Sequence, residues 1–139
     1  MRMVNKPVSQ VRNDPGIILL RFVLAALMLI HGVARIVLGG VAPFGEFLAS
    51  KGLPFGTALA LLITLFELAG SGMLFLRKYV VLIALLFALE LLAGIFLVHG
   101  PEGWFVVGAG RNGMEYSVLL IAGFIALVAS ERQRQKLHF

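Results

Sequence analysis

The chain has 139 residues, of which 60% are hydrophobic and 14% are charged, whereas about 25% of the residues of a soluble domain are charged. Together with a mean hydropathy of +0.97, this predicts a single-domain, all-α integral membrane protein. The net charge of +5 does not indicate nucleic acid as a partner, because Lys and Arg cluster at the ends of apolar segments, as membrane topology requires. The sequence contains no cysteine, which excludes CxxC redox centres and thiolate metal sites from it.

Four apolar runs predict four transmembrane helices, over residues 17–38, 55–76, 79–98 and 115–129. The pair Asp14-Pro15 favours a helix start, because Asp caps a helix and Pro suits its first turn. A run of 22 residues spans ~33 Å, enough for the hydrocarbon core of a bilayer. We expect 17–130 to form one four-helix transmembrane bundle, 1–16 and 131–139 to be polar tails, and the first span to act as its own insertion signal. Arg21 is expected to snorkel to the headgroups.

The longer connecting segments are predicted to lie on one side of the membrane. Residues 43–51 suit a short interfacial helix in the first outer loop, with Phe44 and Phe47 on one face. Residues 100–114 form a glycine-rich loop, but no strand precedes the glycines, so we reject a nucleotide-binding interpretation. Lys and Arg are more numerous in the two tails and the 77–78 turn than on the loop side. This bias predicts a multi-pass protein of the bacterial inner membrane with both termini cytoplasmic.

Ionisable residues inside the predicted spans mark a polar site. His31 and Arg35 are four residues apart and share a helix face, and an intramembrane cation costs at least ~2.5 kcal/mol unless it faces a bundle interior or a wet cavity. Glu67 and Glu90 lie near the predicted midplane, so we expect at least one to be neutral or to share a proton. His31 is the nearest candidate for proton exchange. From the membrane midplane toward the side of the longer loops, the predicted order of depth is Glu67 and Glu90, then His31, then Arg35, His99, Arg111 and Glu115. Glu115 could pair with Arg35 or Arg111.

Each of these residues also has a structural interpretation. The buried charges could pair only to fix helix register, His99 could cap a helix end, and Trp104 could belong to an interfacial aromatic belt. Glu90 and His99 lie about 180° apart on an ideal helix, so both face one cavity only if the helix unwinds before Pro101.

Neither haem nor a metal ion is expected as a cofactor. Two histidines on facing helices could ligate haem, but the predicted depths of His31 and His99 differ by ~7 Å, so we do not expect haem. The residues offer too few ligands for a metal site.

The order of five short motifs resembles the DoxX family of small bacterial four-span membrane proteins. The resemblance covers residues 15–129. The motifs are His31-Gly32-x-x-Arg35, the segment 47–54 (FLASKGLP), Glu67-x-x-Gly70, His99-Gly100, and Asn112-Gly113-Met114-Glu115-Tyr116. The resemblance implies a four-helix membrane bundle. Some relatives are similar to quinone-linked oxidoreductase subunits that act on sulfur compounds such as thiosulfate, and others associate with thiol-redox or superoxide-detoxifying partners. The family often has Lys at the position of Arg35.

We therefore expect a quinone-interacting subunit of a membrane oxidoreductase, with a redox partner protein or a homo-oligomer in the bilayer. His31 and Glu67 would exchange protons with the quinone, and Arg35 would stabilise developing oxyanion charge. The other candidate binding residues are Glu90, His99, Trp104, Arg111 and Glu115. The alternatives are a non-catalytic anchor or partner subunit and a protein that binds a lipid or small molecule.

Overall fold

Helices form most of the described structure. A computed structural model describes residues 14–136, and it contains no strand in that range. The helices are α1 (Pro15–Val37), α2 (Val41–Ser50), α3 (Gly56–Phe75), α4 (Val80–Gly94) and α5 (Glu115–Lys136), with a π-helical turn (Ile95–His99) that directly continues α4. These bounds follow the predicted runs within a few residues, except that α5 extends to Lys136, into the segment predicted as a polar tail. Most of the predicted N-terminal tail lies outside the described residues.

Three of the helices are long and apolar enough to cross a membrane: Pro15–Val37, Gly56–Phe75 and Val80–His99. Their outward faces carry exposed large apolar side chains such as Leu19, Ile30 and Leu65, which are stable in lipid but unfavourable in water. The prediction of a membrane protein is therefore supported by length, composition and exposure together. The last turns of α5 carry Glu131, Arg132 and Arg134, and the fourth span stays a prediction.

The start of α1 agrees with the sequence, but the role of Arg21 does not. The Asp14 carboxylate accepts a hydrogen bond from Gly16 N at 2.8 Å, with Pro15 in the first turn, so the predicted cap is present. Arg21 does not snorkel outward: it is buried, and it donates hydrogen bonds to the carbonyl oxygens of Leu74 and Phe75, the latter at 2.9 Å. These carbonyls lie in the last turn of α3, where Leu74 O also accepts from Arg77 N at 3.1 Å, and the negative end of the helix dipole stabilises a buried cation there.

The four long helices pack in a ring with two close and two sparse junctions. α1 packs closely on α3 and α4 on α5, whereas the contacts of α1 with α5 and of α3 with α4 are sparse. We call the end of the ring formed by segments 38–55 and 100–114 the loop end. The other end, with the 76–79 turn, the start of α1 and the last turns of α5, is the terminal end. The core includes the rings of Phe66, Phe87 and Phe124, with centroids 4.8 and 5.4 Å apart.

The short helix α2 lies against α3 at the loop end. A Cβ on Gly45 would lie 2.5 Å from Thr57 Cα, and one on Gly56 would lie 2.1 Å from Gly45 O. Only glycines permit this approach of two backbones. The sequence correctly predicted a helix in this segment, and its position in the membrane interface stays a prediction.

Candidate functional site

A cavity of about 710 Å³ opens between the helices toward the loop end. Its walls come from all five helices and the π-helical turn, and most of them are apolar. The ionisable and hydroxyl-bearing residues of the lining are His31, Arg35, Glu67, Glu90, His99 and Ser117. Binding pockets for small molecules have this character: roughly 300–1,000 Å³, apolar, with a few polar groups. The cavity thus brings together five of the residues that the sequence singled out.

A buried ion pair between α1 and α3 forms one side of the cavity. Arg35 Nη1 donates to Glu67 Oε2 at 2.5 Å and Nη2 donates to Glu67 Oε1 at 3.1 Å. Arg35 also donates to Thr64 Oγ1 at 3.1 Å and lies 4.5 Å from the ring centroid of Phe44. Glu67 is 2% exposed. A two-pronged pair of this kind fixes the position of both side chains.

Helix direction explains how Arg35 reaches a carboxylate that the sequence placed ~12 Å deeper in the membrane. Side chains tilt toward the N-terminus of their own helix. Because α1 and α3 run in opposite directions, Arg35 leans toward the terminal end and Glu67 leans toward the loop end, so the two tilts converge. Gly32 lets the helices approach: a Cβ there would lie 3.1 Å from Glu67 Cβ and from Leu68 Cδ2. This contact gives a physical reason for the glycine in His31-Gly32-x-x-Arg35.

Glu90 is the carboxyl group of the cavity that keeps an unused oxygen. Its Oε2 is buried and has no hydrogen-bond partner among the described residues, and Glu90 and Glu67 line the same cavity. Both oxygens of Glu67 are bonded to Arg35. His31 lines the same cavity, and the residue is exposed. The geometry therefore favours Glu90 over Glu67 as the carboxyl that meets a ligand, which changes the predicted pairing of His31 with Glu67.

A π-helical turn places Glu90 and His99 on one cavity. Gly100 N donates to Ile95 O at 2.6 Å, five residues back, so each residue of this turn advances through a smaller angle than in an α-helix. The sequence predicted that the helix must unwind before Pro101 for both residues to face one cavity; the helix instead continues as a π-helical turn. His99 Nδ1 lies 2.9 Å from Asn112 O. Because a carbonyl only accepts, Nδ1 carries the proton, and Nε2 of the neutral ring is an acceptor.

Three of the predicted binding residues do not line the cavity. Trp104 and Arg111 are exposed in the 100–114 loop. Glu115 accepts a hydrogen bond from Val106 N at 3.0 Å, and so closes the loop onto the start of α5. The expected pairing of Glu115 with Arg35 or Arg111 was wrong: the described residues show no such ion pair, because Arg35 is bonded to Glu67 instead.

A second ionic cluster at the terminal end was not predicted from the sequence. Glu131, 6% exposed, lies between Arg77 Nη2 at 3.5 Å and the guanidinium of Arg134. The adjoining space is about 10 Å³, at most the room for one water molecule. The available signal was one acidic residue among basic ones directly after an apolar run.

The sequence also missed part of the cavity wall. Phe44, Phe47 and Leu48 of α2 and Ser117 of α5 line it, and the apolar face of the predicted short helix was the signal for the first three. No group of three or more His, Asp or Glu side chains within residues 14–136 is arranged to hold a metal ion.

Comparison with known proteins gives one match. A family model described as DoxX matches residues 16–100. This range contains α1 to α4, the π-helical turn and all the ionisable residues of the cavity. A search of curated proteins and a search of solved structures found no significant match.

Proposed function

Since the chain belongs to the DoxX family, we propose that this membrane protein binds a quinone, or an amphiphile of similar chemistry, as a subunit of a membrane oxidoreductase. The observation that carries the proposal is the unpartnered Glu90 Oε2 on an apolar cavity of about 710 Å³. A quinone has a flat apolar ring, an apolar tail and two carbonyl oxygens. It therefore needs an apolar cavity with a few hydrogen-bond donors, and the cavity between the helices has this character.

The arrangement of charges suggests how each polar group would act on a quinone. Glu90 in its protonated form and His31 would donate hydrogen bonds to the carbonyl oxygens and supply protons as reduction places negative charge there. Arg35 would act mainly by holding Glu67, because its guanidinium is engaged in that pair. His99 would close the loop side of the cavity through its bond to Asn112 O.

Electrons must come from elsewhere. The chain has no cysteine, so it has no thiol pair of its own to oxidise. A redox partner protein would deliver electrons taken from a reduced sulfur compound such as thiosulfate, or the subunit would serve a thiol-redox partner in the response to oxidative stress, as the family resemblance suggests. We also propose that α5 is a fourth span and that both termini are cytoplasmic in a bacterial inner membrane. Reporter fusions at the C-terminus and in the 100–114 loop test this orientation, and a periplasmic C-terminus would overturn it.

The direct experiment asks what the cavity holds. Purified protein is extracted with organic solvent and the extract is analysed by mass spectrometry, after which quinone binding is titrated in detergent. The expected result is a co-purifying quinone and saturable binding. A variant that fills the cavity sharpens the titration: Gly94 lines the cavity one helical turn from Glu90, and a Cβ there would have nothing within 4 Å. Gly94→Leu should therefore fold and lose at least about tenfold in affinity, the equivalent of ~1.4 kcal/mol.

Gly72→Leu is the matched control. Gly72 lies inside α3, a Cβ there also meets nothing within 4 Å, and the residue does not line the cavity. It should leave quinone affinity unchanged. Equal quinone affinity in Gly94→Leu and Gly72→Leu would show that the quinone does not bind in this cavity. Absence of quinone binding by the unaltered protein would overturn the proposed function.

One observation favours the second candidate, a non-catalytic anchor or partner subunit. Arg35 and Glu67 satisfy each other completely, as a pair that only fixes helix register would. This function predicts that no small molecule co-purifies and that Gly94→Leu leaves the activity of the assembled oxidoreductase unchanged.

A further inference from the structure

The junction between α3 and α4 differs from the other walls of the cavity. The two helices converge near the 76–79 turn, where a Cβ on Gly70 would lie 2.9 Å from Phe87 Cζ and the rings of Phe66 and Phe87 are 4.8 Å apart. Beyond these contacts, toward the loop end, the cavity lies between them. Leu62 of α3 and Leu86 and Leu89 of α4 line the cavity there, although they are 64%, 39% and 61% exposed. We call these three residues the α3–α4 seam.

Three other sides are closed by close packing, and at the sparse α1–α5 junction Gly123 lies against Leu24 while the cavity-lining Ser117 is buried. Gly32 brings α1 against α3 at Glu67, Phe87 packs on Phe124 between α4 and α5, and Gly45 brings α2 against α3. The seam therefore combines exposure to the surroundings with access to the cavity. All three of its side chains are leucines, so lipid and apolar chains can occupy it, whereas water-soluble solutes gain nothing there.

We propose that the seam is the lateral entry from the bilayer, and that the bound amphiphile lies with its polar head at Glu90 and its apolar tail between Leu62 and Leu89 in the lipid. The inference rests on the proposed function and extends it, because it fixes the route and the orientation of the ligand. Leu86 lies one helical turn from Glu90 on the same face of α4, so a tail that leaves the head at Glu90 meets the seam directly. The ligand class is then a long-tailed amphiphile with a hydrogen-bonding head.

Photo-labelling of the unaltered protein tests the route. The probe is a benzoquinone whose alkyl tail carries a diazirine, added to the protein in lipid vesicles with and without an excess of unlabelled long-tailed quinone. Peptide mapping then locates label that the competitor removes, which separates specific label from general labelling of lipid-facing residues. We expect competable label on residues 58–66 of α3 and 82–89 of α4, and its loss in Gly94→Leu but not in Gly72→Leu.

The outcomes separate the two proposals. Competable label on the outward faces of α1 or α5, around Leu19 or Ile125, would overturn the seam while leaving the quinone site in place. Absence of competable label, together with absence of quinone binding in the titration, would overturn the proposed function and the seam with it. Competable label on the seam that persists unchanged in Gly94→Leu would overturn the head position at Glu90.

Discussion

The two ends of the protein use the same chemical pair in different surroundings. At the loop end, Arg35 bonds Glu67 beside a cavity of about 710 Å³; at the terminal end, Arg77 and Arg134 bond Glu131 beside a space of about 10 Å³. Within the described residues each end also holds a buried polar atom without a partner, Glu90 Oε2 at the loop end and Arg134 Nε at the terminal end. What differs is the adjoining space, which indicates that an arginine–carboxylate pair marks a binding site only where a cavity large enough for a ligand lies beside it.

A layer of aromatic rings separates these two regions. Three phenylalanine rings pack against one another at tilted angles across α3, α4 and α5: Phe66, Phe87 and Phe124. The buried apolar core includes Phe87 and Phe124. Toward the terminal end Arg21 also ties α1 to the last carbonyls of α3. Close packing thus holds α3 and α4 together toward the terminal end, whereas the two helices diverge toward the loop end. The following predictions test whether the two ends differ as this description requires.

The largest effect is expected for Glu67→Ala. It leaves the Arg35 guanidinium without its carboxylate in a largely buried position, and breaking such a pair costs about 3 kcal/mol or more. The measurement is chemical denaturation of the purified protein in detergent. Glu102→Ala, at an exposed loop position, is the control and should leave the unfolding free energy unchanged.

A double variant checks the cause of that loss. Arg35→Met combined with Glu67→Met leaves neither charge unpaired, so it should be clearly more stable than Glu67→Ala. If the double variant is less stable than the unaltered protein by the sum of the losses of Arg35→Met and Glu67→Met, then the two side chains act independently and the ion pair is not the source of the effect.

A smaller loss is expected for Gly45→Ala, which perturbs the loop end alone. The new Cβ would lie 2.5 Å from Thr57 Cα and 2.8 Å from Thr57 N. Because these are backbone atoms, α2 must move away from α3, and such overpacking costs about 1–3 kcal/mol. Phe44 would move with α2 and leave the Arg35 guanidinium. Gly72→Ala, with open space at its Cβ, should be neutral or stabilising, since Ala favours a helix. Equal stability of the two variants would show that α2 is not held against α3.

Particular residues show how far the sequence predicted this structure. Asp14-Pro15 fixed the start of α1, because a cap is a local feature, and the apolar runs placed the long helices. His31, Arg35, Glu67, Glu90 and His99 were all predicted as site residues, because a charge inside an apolar run must face the bundle interior.

Other features depend on tertiary structure and could not be predicted in the same way. The bond between Arg35 and Glu67 forms because α1 and α3 run in opposite directions, so that their side chains lean toward each other. Arg21 and Glu131 can be buried because they meet partners on distant segments: Leu74 and Phe75 for Arg21, and Arg77 for Glu131. The π-helical turn has no short-range sequence signal. Trp104, Arg111 and Glu115 were predicted as binding residues from their place in or beside the 100–114 loop, and a place in the sequence does not specify which way a loop folds.

At the terminal end, Glu131→Gln should cost only about 1 kcal/mol. The arginine side chains are 33% and 27% exposed, so water screens their charges, and the amide oxygen still accepts a hydrogen bond. The same denaturation experiment measures the loss, and quinone affinity should be unchanged. A loss as large as that of Glu67→Ala, or a weakened affinity, would mean that the two clusters are energetically alike or coupled through the aromatic layer.

A similarly small effect is expected for Arg35→Lys, which keeps the charge but not the planar guanidinium. A lysine ammonium can approach the Glu67 carboxylate as a point charge, whereas it cannot reproduce two parallel hydrogen bonds and the flat contact with Phe44. The lost bonding should cost about 0.5–1.5 kcal/mol, well below Glu67→Ala, and quinone affinity should fall by no more than a few fold because Glu90 remains in place. Arg35→Met is the comparison: it leaves the Glu67 charge uncompensated and should be as unstable as Glu67→Ala. If Arg35→Lys is equally unstable, bidentate geometry rather than charge holds α1 to α3. That result would also conflict with the lysine that resembling family members often carry at this position.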